Sequence, residues 1–468
     1  MSSYAKPFKT FVEQVDLLRS RGMSIPDEAV ALRALSGIGY YRLSGYFYIF
    51  RARTTDPATG ESLVGDDFGG ADFGRVIALY EFDRRLRLHI LDAIERVEVA
   101  LRVRLGYTLG AGHPFAHLDP AALDRGFTRF DEQNPVVSGA HWLQSTHVQW
   151  LANVARTEAR SKEEFVNHFK TKYGLPLPIW VVTELLSFGD LVTLLAGLKP
   201  RHKNLVAADL GVFDGNGDGA GTTLTNWMTN LRHLRNSCAH HGRVWNRNMD
   251  EQIGSLSTFP DLAHAGTVRS RSRVYPSLAI LAYLTSCLDV DCVWRTEAAD
   301  LIEDGLAEVG QLPDRIGCPD GWREQAIWSP NYRPRADPLP AEHRHIYRQL
   351  ECLGASEVGA IIDASPTASR RSSAVRAARD RAMLLGLLVG TGYRYPAFQL
   401  DVANGRIDPV AAEVNVLLDA KSRPWDAARW WVDPNPLLGD VCPAELLRDG
   451  RLSVEAARDA AASVTVGG

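Results

Sequence analysis

Cysteine is scarce in this chain of 468 residues. The six present, at 238, 287, 292, 318, 352 and 442, form no Cys-x-x-Cys pair. Such scatter excludes the disulfide framework that staples small secreted domains. No apolar run approaches the roughly 18 residues that a membrane-spanning helix needs. The opening Met-Ser-Ser-Tyr-Ala-Lys-Pro lacks the hydrophobic stretch of a signal peptide. A cytoplasmic protein without a membrane partner is therefore expected. There is no phosphate loop, no Gly-x-Gly-x-x-Gly and no alternation of strands with helices, which removes the nucleotide-binding α/β folds. The formal net charge is −4, so any contact with nucleic acid must rest on a local patch.

One absence is local and points to such a patch. No acidic residue occurs between Asp218 and Asp250, while that interval carries Arg232, Arg235, Arg243 and Arg247 together with His233, His240 and His241. Leu231, Leu234 and Cys238 recur at helical spacing, which predicts an amphipathic helix with an apolar seam and a basic outer face. Within it, Arg235-Asn-Ser-Cys-Ala-His240 joins an always-charged guanidinium, able to grip a phosphate through two N–H groups, to a side chain that titrates near neutral pH. That pair suits metal-free RNA cleavage: one group moves the proton of the 2′-hydroxyl or the leaving oxygen, the other stabilises the phosphorane. Asn236 and His240, four apart, share a helix face. Arg235 and His240, five apart, stand roughly 140° from each other around an ideal helix. Convergence on one phosphate then requires a kink, the long reach of arginine, or a second subunit. Cys238, His240 and His241 lie close in sequence, but without a second ligand pair the reading is a half-buried helix cysteine, and no metal or cofactor is expected.

The remainder reads as mostly helical. Apolar residues mark helices over 8–35, broken near Pro26, and the Gly37–Tyr46 segment is aromatic, either a core corner or a platform for bases. A polar loop spans 51–72. Leu79, Phe82, Leu86, Ile90, Ala93, Val97 and Leu101 predict one long helix over 73–107, from which Asp83, Glu95 or Glu98 either support the fold or orient the motif. An irregular connection follows over 108–140. Helices are expected around 141–156, 162–173, 179–186, 276–292 and 295–312, with a flexible Gly-rich loop over 212–223 leading into the motif helix. Four prolines between Ser329 and Glu342 predict an extended linker. Beyond it, 357–381 suggests two helices joined near Pro366, and Pro443 and Gly450 bracket a further short helix.

Four stretches carry a resemblance: Gly-Tyr-Tyr-Arg-Leu-Ser-Gly-Tyr46, Tyr80-Glu-Phe-Asp-Arg-Arg-Leu-Arg87, the Pro178-Ile-Trp to Ser187-Phe-Gly189 passage, and Leu234-Arg-Asn-Ser-Cys-Ala-His-His-Gly-Arg-Val-Trp-Asn-Arg247. Together with a closing segment at Gly317–Trp328, they resemble the Abi-like (AbiD/AbiF) abortive-infection proteins of the HEPN superfamily across about 1–330. The resemblance implies an all-α, HEPN-like bundle with additional helices. Its activity would be that of a metal-independent endoribonuclease leaving a 2′,3′-cyclic phosphate, acting in phage defence or as a toxin–antitoxin component. Arg235, His240 and Asn236 would be catalytic, and Arg232, His241, Arg243 and Arg247 would bind RNA. A homodimer with facing motif helices is also implied.

The segment from about 375 to 460, with Gly392-Tyr-Arg-Tyr-Pro, Trp430-Trp-Val-Asp-Pro and Leu438-Gly-Asp440, resembles the toxin-binding domain of Xre/MbcA/ParS-type antitoxins. The domains expected are thus 1–330, a Pro-rich linker 331–345, and a small helical unit 346–468 that silences the first part or docks a toxin. Two other readings stay open: an RNA-binding protein that does not cleave, and a protein-interaction scaffold whose tail binds a toxin.

Overall fold

Leucine, phenylalanine and valine repeated every three or four residues wind the chain into a helix from Phe73 to Gly110. Its inner stripe, from Leu79 through Leu101, is wholly buried. The computed structural model describes residues 7–55, 60, 62–129, 145–335 and 337–465. Two compact units emerge, one of Met1–Tyr107, Ala152–Leu195 and Thr225–Pro334, the other of Thr108–Leu151, Ala196–Leu224 and Arg335–Gly468. Among the described residues no helix is long and apolar enough to cross a membrane.

The first unit is almost entirely helical. Thr10 and Glu13 form a capping box that starts the helix Phe11–Ser20. Asp27, one residue past Pro26, caps the next, Glu28–Gly37. The aromatic segment forms a short helix, Tyr40–Phe47. Its residues divide, with Tyr46 buried and Tyr41 exposed. Against the long helix lies Trp294–Glu308, so close that a Cβ on Gly305 would come within 2.5 Å of the Phe82 ring. His89 stacks on Trp294 with ring centres 4.8 Å apart, and the indole N–H donates to the His89 carbonyl. The helix Tyr275–Leu288 is buried on all sides, as a central helix must be.

An all-α fold is corrected in detail: the chain is mostly helical but holds small antiparallel sheets. In the stretch expected to be a loop, Arg53–Thr55 pairs with Ser62–Val64. The second unit contains a three-stranded sheet in which Gly392–Pro396 lies between Cys352–Gly354 and Leu387–Val389. Leu-Leu-Val, a two-residue Gly-Thr turn and Gly-Tyr-Arg-Tyr-Pro have the composition of a hairpin. Gly390 supplies the positive φ that such a turn requires.

Around that sheet pack the helices Ala355–Ile362 and Ala368–Asp380, where two were expected. Pro409–Leu417, Pro424–Val432, Pro443–Arg448 and Val454–Thr465 complete the C-terminal part. Its core gathers Leu385, Val414, Trp431 and Ala460. A buried polar chain runs through it: Trp431 donates to Asn415, Asn415 to Gln399, and Gln399 exchanges two bonds with Leu385. Since unmet polar groups are costly inside a protein, this complete network specifies the packing.

The Gly-rich stretch 212–223 is pinned rather than loose. Asp214 accepts from the backbone of Asn216 and Asp218, and helix geometry already begins at Gly221. Within the second unit the Leu387–Pro396 hairpin meets this turn. A Cβ on Gly217 would sit 2.7 Å from the Gly390 Cα, and Thr391 N–H donates to the Asn216 carbonyl. Arg394 adds an ion pair to Asp218, and Arg348 pairs with Asp209. In the stretch expected to be an extended linker, the Ser329 and Pro330 carbonyls are held by Arg295, and a helix, Ala341–Gln349, begins soon after.

Candidate active site

The motif helix runs from Gly221 to Ala239. Leu231, Leu234 and Cys238 are buried, as their spacing predicts, and Leu224, Trp227 and Met228 extend the same stripe. Each such side chain contributes about 1.5–3 kcal/mol by leaving water. Asn230 locks the buried face: it donates to the Glu251 carbonyl and accepts from Ser277 of the central helix. Burial pushes the Cys238 thiol up to about 12, so it is an uncharged packing group.

Helix geometry persists to His240, whose N–H still bonds the Asn236 carbonyl at 2.9 Å. The chain then turns sharply. His241 N–H donates to the Cys238 carbonyl and Gly242 N–H to Ser237, and His241 adopts the left-handed φ of +58°. This is a Schellman end with histidine where glycine is usual, a conformation costing roughly 1–2 kcal/mol in a residue with a Cβ. Such local strain marks functional positions. Arg42 holds the turn from outside by donating to the His241 carbonyl.

Beyond the turn, a buried carboxylate fixes the chain. Asp83, on the long helix and fully buried, accepts from the backbone of Val244 and Trp245 at 3.2 and 2.7 Å. Its other oxygen accepts from Tyr46 at 2.6 Å and from Arg87. Burial raises the Asp83 carboxyl, while Arg87, Tyr46 and the two amides pull the other way. One side chain thus joins three of the sequence stretches singled out above. Of the carboxylates considered for orienting the motif, Asp83 holds the backbone that follows it, and Glu98 pairs with Arg102, which reaches the Thr183 and Glu184 carbonyls. Spacing alone cannot show that Asp83 meets a segment 161 residues away.

The candidate residues fall into two sets. Arg232, Asn236 and His240 succeed one another at four-residue intervals and so lie along one helix face; Asn236 and His240 are exposed and Arg232 is half-buried. Arg235 is half-buried beside them. Arg235, Asn236 and His240 make no side-chain hydrogen bond or ion pair with any described residue, so no described side chain neutralises or occupies them. No bond joins Arg235 to His240 either. Arg243 and Arg247 lie past the turn, the former donating to the Gly45 carbonyl and the latter to Asp250 at 2.7 Å. Among the described residues no three His, Cys, Asp or Glu side chains gather in a metal-binding group.

Residues 33–246 match the family model described as Abi-like protein. That span lies within the region where the resemblance is read in the sequence. It includes the aromatic helix, the Asp83 anchor and the Arg235–His240 motif. No curated protein and no solved structure matches the chain.

Proposed function

We propose that this chain is a metal-independent endoribonuclease of HEPN type, acting in abortive infection or phage defence. One observation carries the reading. The motif helix ends in an exposed histidine, flanked by an arginine with no carboxylate partner among the described residues, on an interval of 31 residues free of acid. In the reaction the 2′-hydroxyl oxygen attacks phosphorus and the bond to the 5′-oxygen breaks, leaving a 2′,3′-cyclic phosphate and a 5′-hydroxyl. His240 carries the proton removed or supplied in that exchange, and Arg235 stabilises charge on the phosphorane. Asn236 holds the imidazole or the phosphate, and Arg232, His241, Arg243 and Arg247 contact the strand.

With no bond between Arg235 and His240 in one chain, a homodimer with facing motif helices supplies the convergence. The C-terminal region acts as an antitoxin-like module toward a toxin or regulatory partner. Support for that reading includes Gly439 and Asp440, both left-handed at φ +75° and +58°, where antitoxin-like sequences carry a glycine pair.

The test incubates the full chain and its His240→Ala variant with cellular RNA in EDTA, and maps the ends produced. Cleavage by the unaltered chain alone, with cyclic-phosphate ends, is expected, and the variant should lose at least about 100-fold in rate. If neither cleaves but both bind RNA with equal affinity, the same unneutralised arginines describe an RNA-binding protein that does not cut.

A further inference from the structure

Past the His241 turn the chain borders a recess of about 490 Å³ that the motif alone does not announce. Arg243 and Arg247 line it from the motif side. Arg53 reaches it from the small antiparallel pair, Arg273 from the approach to the central helix, and Arg315 from the turn after Trp294–Glu308. Five guanidiniums from four separate stretches of chain therefore converge.

Arg243, Arg247 and Arg273 have partners on the chain, Arg243 donating to the Gly45 carbonyl. Arg247 meets the exposed carboxylate of Asp250. Arg273 donates to the Asn246 side chain at 2.9 Å, and Asn246 itself stands in the left-handed region at φ +49°. The Arg53 and Arg315 side chains are exposed and form no hydrogen bond or ion pair with any described residue. Asp66, two residues past the second strand of the pair, is held by Arg21 and Arg51. Like charges gathered this way are unfavourable unless an anion joins them, and planar guanidinium forks match phosphate oxygens. Tyr48 also lines the recess, with Arg51 over its ring at 5.6 Å.

We propose that this recess seats the phosphodiesters next to the cleaved bond, gripping a single RNA strand without reading its bases. The inference rests on the ribonuclease reading and extends it to Arg53, Arg273 and Arg315. RNA is favoured over a small anion because the recess continues directly from the motif, three residues past His240, and because five guanidiniums exceed what one phosphate engages. An aromatic ring beside a basic groove is the usual platform for a single strand.

The test uses the full chain carrying His240→Ala, so that bound RNA stays whole, and measures anisotropy of a labelled single-stranded oligoribonucleotide over a range of salt. Adding Arg53→Glu and Arg315→Glu breaks no side-chain hydrogen bond or ion pair among described residues, and thermal melting should be unchanged. Affinity is expected to fall at least about tenfold, with the salt slope reduced by about two. Arg370→Glu with Arg376→Glu, exposed positions outside the recess, should change it less than about twofold by the same reasoning. An equal loss in that control, or unchanged binding in the recess variant, overturns the proposal. So does displacement of the RNA by inorganic phosphate or a nucleoside monophosphate at equal concentration. The two readings fail separately. A chain that cleaves RNA but ignores the recess substitutions keeps the ribonuclease and loses the recess. A chain that never cleaves, yet binds RNA through Arg53 and Arg315, keeps the recess and loses the ribonuclease.

Discussion

Arginine is used in opposite ways in two regions of this molecule. In the C-terminal part of the second unit three shielded guanidiniums find carboxylates: buried Arg344 with Asp337, and half-buried Arg348 with Asp209 and Arg394 with Asp218. Around the motif, Arg53, Arg235 and Arg315 find none among the described residues, and the interval from 219 to 249 holds no acidic residue. A paired arginine is tied into the architecture, because removing either member leaves a charge poorly solvated. An unpaired, water-accessible arginine adds nothing to folding and is left available for an external anion. Asp83 and Arg87 are the instructive exception on the motif side. They are buried and paired, and they hold the frame on which the unpaired groups stand.

The comparison breaks most visibly at Asp83. Asp83→Asn keeps the shape but strands Arg87 and weakens the bonds to Val244 and Trp245. It should cost about 3–5 kcal/mol and lower the melting temperature by roughly 10 °C. A shift within 2 °C, read by thermal denaturation, would mean the buried pair is not the frame we take it to be.

Next comes Asp218→Asn, which removes the partner of Arg394 at the hairpin contact. Here the pair is only partly shielded, and the expected loss is about 1–2 kcal/mol, measured by urea unfolding. Oligoribonucleotide affinity should not change. If Arg394, once released, raises RNA binding, paired and unpaired arginines are more interchangeable than the comparison allows.

Acid should act on both units through buried neutral histidines. Burial lowers His264 of the first unit to about 4, and burial together with His147 lowers His117 of the second to about 4, from 6.5. Between those values the unfolded chain binds a proton that the folded chain refuses. The stability contribution is therefore whole above about 6.5 and is lost as pH falls toward 4. His264→Phe should flatten part of that decline in a series of melts at graded pH. A decline equally steep in the variant would exclude His264 as a source.

The smallest effect is expected at His241. Replacement by glycine relieves the left-handed strain and should stabilise the chain by up to about 1 kcal/mol, while weakening RNA binding. A loss of stability instead would show that the imidazole makes contacts worth more than the strain.

Much of this is legible in the sequence. Repeats of three and four residues place the long helix and the motif helix with their buried stripes, because each turn of an α-helix is a local property. Pro443 and Gly450 bracket the helix Pro443–Arg448, with Gly450 at φ +67°. The hairpin over Leu387–Pro396 is not legible in the sequence, since a short apolar run has no period long enough to separate strand from helix. The Asp214–Gly219 turn looked like a flexible loop; it is Gly390 that makes Gly217 necessary there, and nothing near either residue announces the other.

By itself, then, the sequence determined the helices, the basic interval and the order of groups along the motif, all consequences of neighbours on one stretch of chain. The tertiary structure alone decided that Asp83 would reach Val244 and Trp245, that Arg53, Arg273 and Arg315 would gather beside Arg243, and that Arg394 would meet Asp218. Spacing records what kind of charge a residue bears. Whether a carboxylate comes within reach to neutralise it depends on the folding of distant segments, and on that depends whether the charge holds the fold or faces outward to a ligand.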